Sequence, residues 1–235
     1  MPKITREKFR TFENVFDRFT IRNLFKLSSQ NHFEEDSLSP VSIGKEANIF
    51  SARQGDKKVI IKIHRLETSD FNKMLEYIRN DPRFANLKKG RREIIFAWSQ
   101  REYRNLLAAR QAGVSVPLPI TFMKNILIME FIGDEQPARK LKDTVPKNPE
   151  KFWKEIVLNM RKFYKKGFVH GDLSKFNILN YHDHPVLIDF SHATLAKNQN
   201  FEELLERDVK HTAEFFRRLG VRIDDAKVLK EIRKK

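Results

Sequence analysis

The sequence contains no cysteine and no long apolar run. The absence of thiols excludes disulfide bonds, thiolate nucleophiles and cysteine-ligated zinc. The longest apolar stretch, at 126–132, is interrupted by Glu130 and is far too short to cross a bilayer. The first residues lack the apolar segment of a signal peptide. These absences predict a cytoplasmic protein without a membrane partner.

Acidic residues are also scarce relative to basic ones. The chain of 235 residues has 31 Asp and Glu against 46 Lys and Arg, a formal net charge of +15. With 40% hydrophobic residues it is long enough to bury a sizeable core. The excess of positive charge favours polyanionic partners, either nucleic acid or nucleotide phosphates. A solvated surface that only maintains solubility would explain the charge equally well.

The first half of the chain has the pattern of a sheet with one helix. Two β-rich runs, 41–50 and 57–64, flank a Gly-Asp turn and predict a hairpin. Helical spacing extends over 93–111, and two further strands are expected at 120–123 and 126–132. A separate docking helix is predicted near the N-terminus, from residues at 3,4 spacing: Phe9, Phe12 and Phe16.

The second half is mainly helical. Asn148-Pro149 is an N-cap signal for a helix that ends at Gly167. Short strands are expected at 178–180 and 186–188, and a last long helix at about 201–219. The predicted fold is therefore α+β with two lobes. The expected divisions are an N-terminal docking segment at 1–40, an N-terminal lobe at 41–132 and a C-terminal lobe at 133–235.

The strongest chemical signal is H-G-D-L-S-K-F-N at 170–177, followed by V-L-I-D-F at 186–190. Asp172 and Asn177 are five residues apart, the spacing of a kinase catalytic loop. Asp172 is expected to accept the proton of an attacking hydroxyl, and Asn177 and Asp189 to hold a metal ion. Two surface turns capped by Asp and Asn are the alternative. The two motifs together favour phosphoryl transfer.

The first half supplies a candidate nucleotide clamp. Lys62 lies inside an apolar strand and Glu102 on the apolar face of the 93–111 helix. A buried ammonium needs an acidic partner, so these residues are predicted to pair. Glu93 is the second candidate partner, and a snorkelling edge-strand lysine is the alternative interpretation of Lys62.

A phosphate-binding loop is less clearly marked. The segment S-I-G-K-E-A-N-I at 42–49 precedes Lys62 by the distance expected of a glycine-rich loop. It retains only Gly44, where kinases usually have three glycines. Ser42, Lys45 and backbone N–H groups remain candidates for cradling phosphates.

At these positions the sequence resembles the RIO family of atypical protein kinases, type-one subfamily. The resemblance covers nearly the whole chain. It rests on the two catalytic motifs and on F-E-N-V-F-D at 12–17, G-K-E-A-N at 44–48, I-K-I-H-R at 61–65, F-N-K-M at 71–74, D-P-R-F at 81–84, F-A-W-S-Q-R-E-Y-R-N-L at 96–106 and M-E-F-I-G at 129–133. The segment 70–92 resembles the family's flexible insert, and the 46 residues after Asp189 match a C-terminal lobe without a peptide-docking subdomain.

The resemblance implies a protein-kinase-like fold that uses ATP with Mg²⁺, or with Mn²⁺ as an alternative. It further implies serine autophosphorylation, ATP hydrolysis and a role in maturing the small ribosomal subunit, with rRNA of the subunit precursor as partner. Adenine is expected at the backbone of Glu130 and Ile132. Asp189 is expected either to accept the phosphoryl group or only to ligate the metal. Asp208 is expected either to support the catalytic loop or to be an ordinary exposed charge on its helix. The departures are Ser191 after Asp189-Phe190 and Lys175 in place of a frequent Glu, and neither removes a metal ligand.

Three other functions fit parts of the pattern. Small-molecule kinases of the aminoglycoside or choline kinase type share the catalytic motifs but usually have a larger, acidic C-terminal lobe. The kinase-like ATPase of the tRNA-modification complex has a similar length but is not expected to have the 70–92 insert. An inactive RNA-binding scaffold would not need to retain Lys62, Asp172, Asn177 and Asp189 together.

Overall fold

A five-stranded antiparallel sheet forms the N-terminal lobe in a computed structural model that describes residues 16–67, 70–87 and 90–234. Its strands follow the order β1-β2-β3-β5-β4. Their bounds are Ser39–Ile43 (β1), Ala47–Gln54 (β2), Lys57–His64 (β3), Pro119–Met123 (β4) and Ile126–Glu130 (β5). The predicted hairpin is β2–β3, and β4 and β5 join at Lys124 and Asn125 as expected.

The two faces of this sheet have different partners because side chains alternate along each strand. Phe50 and Ile61 lie on the face covered by helix α1 (Arg18–Ser29), where they pack with Leu24. The opposite face carries Leu127, which joins a core shared with Leu106 of helix α3 (Arg91–Gln111) and with the second lobe. Lys62 alternates with Ile61 on β3 and therefore also faces α3.

Helix α1 lies within the segment interpreted as a docking region, but the sequence pattern did not identify it. Asp17 caps it by accepting N–H bonds from Phe19 and Thr20 at 2.9 and 3.0 Å. The predicted docking helix rests on Phe9 and Phe12, which lie outside the described residues. Phe16 is buried and packs its ring 5.1 Å from that of Phe50.

The 70–92 insert contains a helix, α2 (Phe71–Arg79), where a flexible loop was expected. Asp70 caps it, and Met74 and Ile78, one helical turn apart, are both buried. They pack in a small apolar cluster with Trp98 of α3. The amphipathic spacing of these residues accounts for the helix and for its attachment to the first lobe.

The second lobe is built on helices α4 (Pro149–Lys165) and α5 (Phe201–Arg218). Asn148 caps α4 through a 3.0 Å bond from the N–H of Lys151, as the sequence predicts. A last helix, α6 (Asp225–Arg233), was not predicted, and it buries Val228 and Ile232 in this lobe's core. The short strands are Arg139–Lys140 (β6), Phe168–Val169 (β7), Ile178–Tyr181 (β8), His184–Leu187 (β9) and Thr194–Leu195 (β10).

These elements confirm the predicted α+β class and the two-lobed architecture, in which a mainly helical lobe follows a sheet with α3 against it. Strands β8 and β9 form the small hairpin that separates the two catalytic motifs. No helix among residues 16–67, 70–87 and 90–234 has the length and apolar character needed to cross a bilayer.

Candidate active site

One buried carboxylate of the second lobe binds the backbone of the loop at 170–177. Asp208 of α5 is 1% exposed and accepts the N–H of Gly171 at 2.7 Å and that of Leu173 at 2.8 Å. Burial raises the pKa of Asp208 to about 7, although both N–H bonds act in the opposite direction. Asp208 thus occupies the supporting position that the resemblance implies for it.

Gly171 brings this loop very close to the segment that follows Asp189. Its φ is +77°, in the left-handed region that favours glycine. A Cβ atom at this position would lie 2.7 Å from the backbone oxygen of His192. The two catalytic motifs therefore touch through their backbones.

His170 joins the same two segments. Its Nε2 lies 3.0 Å from the carbonyl oxygen of Ile188, so Nε2 is the protonated nitrogen. Burial lowers the pKa of His170, which keeps the ring neutral, although the Ile188 carbonyl acts in the opposite direction. His170 therefore supports the catalytic loop by linking it to the strand end before Asp189.

Asp172 and Asn177 form a hydrogen-bonded pair at the ends of the loop. The Asn177 Nδ2 donates to the backbone oxygen of Asp172 at 2.8 Å and to its Oδ2 at 3.1 Å. Asp172 is exposed, as a group that meets a substrate must be. Because Nδ2 is engaged, the amide presents Oδ1 on its other side. The N–H of Ile188 donates to the Asn177 carbonyl at 3.0 Å and connects this pair to Asp189.

Lys62 contacts two carboxylates, one from each lobe. Its Nζ lies 2.7 Å from Oε1 of Glu102 and 2.9 Å from Oδ1 of Asp189. Lys62 is 7% exposed and Glu102 1%, so neither has the position of a snorkelling surface charge. The predicted Lys62–Glu102 pair is present, whereas Glu93 is exposed in the first turn of α3.

The pKa values of this cluster follow from its mixed charges. Burial alone would lower the pKa of Lys62, but Asp189 and Glu102 outweigh it and raise that pKa above its usual value. Burial would raise the pKa of Asp189, but Lys62, His192 and the Ser191 hydroxyl outweigh it and lower that pKa below its usual range. Both groups are therefore charged at neutral pH.

Asp189 itself has an unusual backbone with φ of 62°. Its Oδ1 accepts bonds from Lys62 Nζ and, at 2.7 Å, from the hydroxyl of Ser191. Both of these bonds fall on Oδ1, so Oδ2 is the oxygen that the carboxylate presents to a ligand. Its side chain is 37% exposed, the most accessible part of the cluster.

The oxygens of Asp189 and Asn177 fit Mg²⁺. This ion prefers hard oxygen ligands and is usually bound through one or two carboxylates together with phosphates and water. In the described parts of the chain, no group of three or more His, Asp or Glu side chains converges on a metal position. A carboxylate and an amide oxygen beside a phosphate position therefore suit a metal–nucleotide complex better than a protein-only metal cage.

The expected phosphate loop lies at the edge of the sheet, beside strand β1 and two strands away from Lys62. Ser42 of β1 is opposite Ile49 of β2, which is opposite Lys62 of β3. Directly opposed residues share a face, so Ser42 and Lys62 point the same way, about 10 Å apart across two strand spacings. Lys45 lies in the exposed β1–β2 turn. Ser42 thus lies two strands away from Lys62, and the phosphate role of Ser42 and Lys45 remains a prediction.

The connection between the lobes begins at the end of β5. The Glu130 N–H donates to the carbonyl of Leu118 at 2.8 Å, and the Ala138 N–H donates to the carbonyl of Ile132 at 2.9 Å. Adenine binding at this connection would therefore use the Glu130 carbonyl and the Ile132 N–H. Its role in binding adenine remains a prediction.

Two basic residues near Asp189 were missed in the sequence pattern. Lys140 of β6 is half-buried; burial lowers its pKa and the charge of Asp189 opposes that shift. Arg101 of α3 is 2% exposed and donates its Nη2 to the carbonyl of Ala193 at 2.8 Å. Burial lowers the pKa of Arg101 to about 10, with Asp81 acting against it, so the guanidinium is charged at neutral pH. A basic residue beside Glu102 on the buried side of α3 was the available signal for Arg101.

Comparisons with known proteins identify the family of the chain. The RIO domain family matches residues 48–229. The chain is 41% identical to the RIO-type serine/threonine-protein kinase Rio1 of Methanocaldococcus jannaschii, over 92% of this chain and 74% of that protein. It is 38% identical to the protein of the same name from Haloferax volcanii, over 93% of this chain and 76% of that protein.

A solved structure supports the fold. A crystal structure described as the Rio2 kinase-ADP/Mg²⁺-phosphoaspartate complex from Chaetomium thermophilum superposes with a TM-score of 0.67 at 20% identity. It covers 90% of this chain and 66% of that chain. At this identity the likeness shows the protein-kinase-like fold alone. The family match and the archaeal relatives go further, and the chain belongs to the RIO family of serine/threonine-protein kinases.

Proposed function

We propose that the protein is an ATP- and Mg²⁺-dependent serine/threonine kinase and ATPase that autophosphorylates and acts in maturation of the small ribosomal subunit. The observation that carries the catalytic part is the contact of Lys62 with both Glu102 and Asp189. A buried cation between two carboxylates, beside Asn177 and Asp172, is the arrangement that phosphoryl transfer requires.

In this proposal the phosphates of ATP bind beside Lys62, and adenine binds at the backbone of Glu130 and Ile132. Asn177 Oδ1 and Asp189 would hold Mg²⁺, which withdraws charge from the phosphate oxygens when bound. Glu102 fixes the position of the Lys62 ammonium. Ser42, on the same face of the sheet as Lys62, and Lys45, in the β1–β2 turn, are the proposed outer contacts of the phosphates.

Asp189 has a second proposed role, as the acceptor of the phosphoryl group. Its Oδ2 forms a bond to the γ-phosphorus while the bond to the β–γ bridging oxygen breaks, and ADP leaves with both electrons of that bond. Water then attacks the phosphorus of the acyl phosphate. Asp172 takes the proton from that water, the bond to Asp189 breaks, and inorganic phosphate is released. The Chaetomium thermophilum Rio2 complex, which is described as containing a phosphoaspartate, supports this order for a protein of the same fold.

The test is the chemistry of the label that the protein acquires from γ-³²P-ATP. An acyl phosphate is cleaved by hydroxylamine, whereas phosphoserine from autophosphorylation is resistant. We expect a hydroxylamine-labile fraction in the wild type and in Asp56→Ala, whose exposed Asp lies in the β2–β3 turn. Asp189→Ala should lack it. The absence of a labile fraction, or one that persists in Asp189→Ala, contradicts the acyl phosphate. A wild-type protein that acquires no label and hydrolyses no ATP contradicts the kinase proposal.

The ribosomal part of the proposal rests on the archaeal relatives' family and on the charge of +15. Cross-linking the protein to RNA in cell extract and sequencing the bound fragments tests it directly. Enrichment of small-subunit rRNA supports the proposal. Enrichment of tRNA would instead support a role like that of the tRNA-modification ATPase, and no enrichment contradicts an RNA partner.

A further inference from the structure

Arg101 of α3 holds the segment that follows Asp189. Its Nη1 donates to the carbonyl of Ser191, and its Nη2 donates to the carbonyl of Ala193 at 2.8 Å. Asn105, one turn further along α3, donates to the Ala193 carbonyl at 3.1 Å. The backbone two and four residues beyond Asp189 is thus fixed to the first lobe, because α3 packs on the sheet.

The position of Arg101 is itself fixed by the 70–92 insert. Arg101 Nε lies 3.0 Å from Oδ2 of Asp81, and both side chains are at least 97% buried. Arg83 forms a fork on the same carboxylate, with bonds of 2.8 and 2.6 Å. The Arg101 guanidinium also lies over the ring of Tyr77 in α2, 5.3 Å from its centroid. The insert therefore supplies the carboxylate and an aromatic face that orient Arg101.

The backbone at Asp189 needs this support. A residue other than glycine is strained at φ near 62°, and such a conformation persists only where its surroundings over-determine it. Arg101 is a planar donor that binds two carbonyls at once, a geometry that a lysine cannot reproduce. When these bonds are absent, the segment can relax, and the Asp189 carboxylate moves relative to Lys62.

We propose that Arg101, oriented by Asp81 of the insert, is a positioning residue that sets the place of the Asp189 carboxylate in the catalytic cluster. The inference rests on the proposed function, because it assigns Asp189 to metal and phosphate binding. It also gives the insert a specific role, since Asp81 controls the geometry of a carboxylate that it does not touch.

The experiment compares Arg101→Lys with Arg104→Lys. Arg104 is on the same helix and contacts the same insert, over the ring of Phe84 at 5.5 Å, but it lies less deeply in the protein and makes no hydrogen bond to the Asp189 segment among the described residues. We expect Arg101→Lys to lower kcat for ATP hydrolysis about 10²-fold, as small displacements of reacting groups do. The KM for ATP should stay within about twofold, because Lys62 and the interlobe backbone are intact, and the apparent affinity for Mg²⁺ should fall.

A second readout is independent of activity. In the ligand-free protein, amide hydrogen exchange of the peptide 189–195 should be faster in Arg101→Lys than in the wild type, while the β2–β3 hairpin is unchanged. Asp81→Asn keeps Arg101 in place but removes its orienting charge, so the same changes should appear at smaller size. If Arg101→Lys does not fold, Asp81→Asn serves as the test variant in its place.

Several outcomes would overturn the proposal. Wild-type kcat and exchange in Arg101→Lys, equal effects in Arg104→Lys, or faster exchange throughout the protein would each show that Arg101 has no specific positioning role. If the wild type hydrolyses no ATP, the proposed function fails. Exchange at 189–195 then decides by itself whether Arg101 orders the segment.

Discussion

The Nζ atom of Lys62 lies 2.9 Å from Oδ1 of Asp189, although 127 residues separate them in the chain. Lys62 belongs to the sheet of the first lobe and Asp189 to the segment after β9 in the second. Their contact joins the lobes at the point where phosphate chemistry is proposed. Glu102 accepts a second bond from the same ammonium, at 2.7 Å, so Lys62 is held by both carboxylates at once.

The first prediction concerns the pair formed by Lys62 and Glu102. In Glu102→Gln the ammonium loses the negative charge of its buried partner and is drawn towards Asp189, so it is less firmly held where ATP phosphates need it. We expect kcat/KM for ATP hydrolysis to fall about 10²-fold, as for the loss of one fixed electrostatic group. Steady-state hydrolysis assays check this. Glu93→Gln, on the same helix but exposed, should behave as wild type; equal losses in both variants would contradict the pairing.

The second prediction concerns the support of the catalytic loop. In Asp208→Asn an amide NH₂ replaces one of two oxygens that accept backbone N–H bonds, so one donor of Gly171 or Leu173 loses its partner. The free energy of unfolding should fall by about 1–3 kcal/mol, measured in urea. Glu203→Gln, exposed on the same helix, is the control and should change little.

The size of that loss should depend on pH. Burial raises the pKa of Asp208 from 3.8 to about 7 in the folded state. The stabilisation that comes from protonation of Asp208 is therefore complete below pH 4 and is lost as the pH rises through 7. The difference between wild type and Asp208→Asn should be larger at pH 5 than at pH 8, and the reverse order would contradict the raised pKa.

The third prediction concerns His192, whose ring packs against the rings of Tyr77 and Trp98, with centroid distances of 5.0 and 5.2 Å. Burial lowers its pKa from 6.5 to about 3, with Asp189 acting in the opposite direction. Only the unfolded chain binds a proton between these values, so stability is present above pH 6.5 and falls as pH decreases. At pH 5 this amounts to about 2 kcal/mol.

The measurement is the drop in unfolding free energy between pH 7 and pH 5. His192→Phe keeps an aromatic ring against Tyr77 and Trp98 but cannot titrate, so its drop should be smaller by about 2 kcal/mol. His211→Gln, exposed on α5, should show the wild-type drop. An unchanged drop in His192→Phe would exclude this residue as a source of acid sensitivity.

The fourth prediction concerns RNA. On α4, Lys162 bonds to the carbonyl of Gly113 at 2.8 Å, whereas Lys165 and Lys166 just beyond are exposed. Two further basic clusters of the sequence, at 88–92 and 233–235, are also candidate RNA contacts, but their residues 88, 89 and 235 lie outside the described residues. If the exposed pair contacts phosphates, Lys165→Ala with Lys166→Ala should reduce the log–log salt slope of rRNA binding by roughly 2, with Lys57→Ala as control. An affinity that does not change with salt would contradict electrostatic binding.

The sequence predicted the Lys62–Glu102 pair because each charge occupies an apolar face, where an unpaired charge is costly, and it ranked Glu93 second as the partner. It did not predict the role of Arg101 for two physical reasons. Its acidic partner Asp81 lies in a segment that resembled a flexible loop, and its other partners are backbone carbonyls, which leave no mark in a sequence. Helices α1 and α6 were missed because each buries only two or three residues.

The close approach at Gly171 has a consequence for the evolution of this chain. Any side chain there must adopt a left-handed backbone and meet the oxygen of His192, which cannot retreat because Arg101 holds the carbonyls on either side of it. In a saturation library selected for function, position 171 should therefore accept almost no replacement, although glycine contributes no reactive group. Backbone geometry, rather than a role in the chemistry, prevents the substitution of this residue.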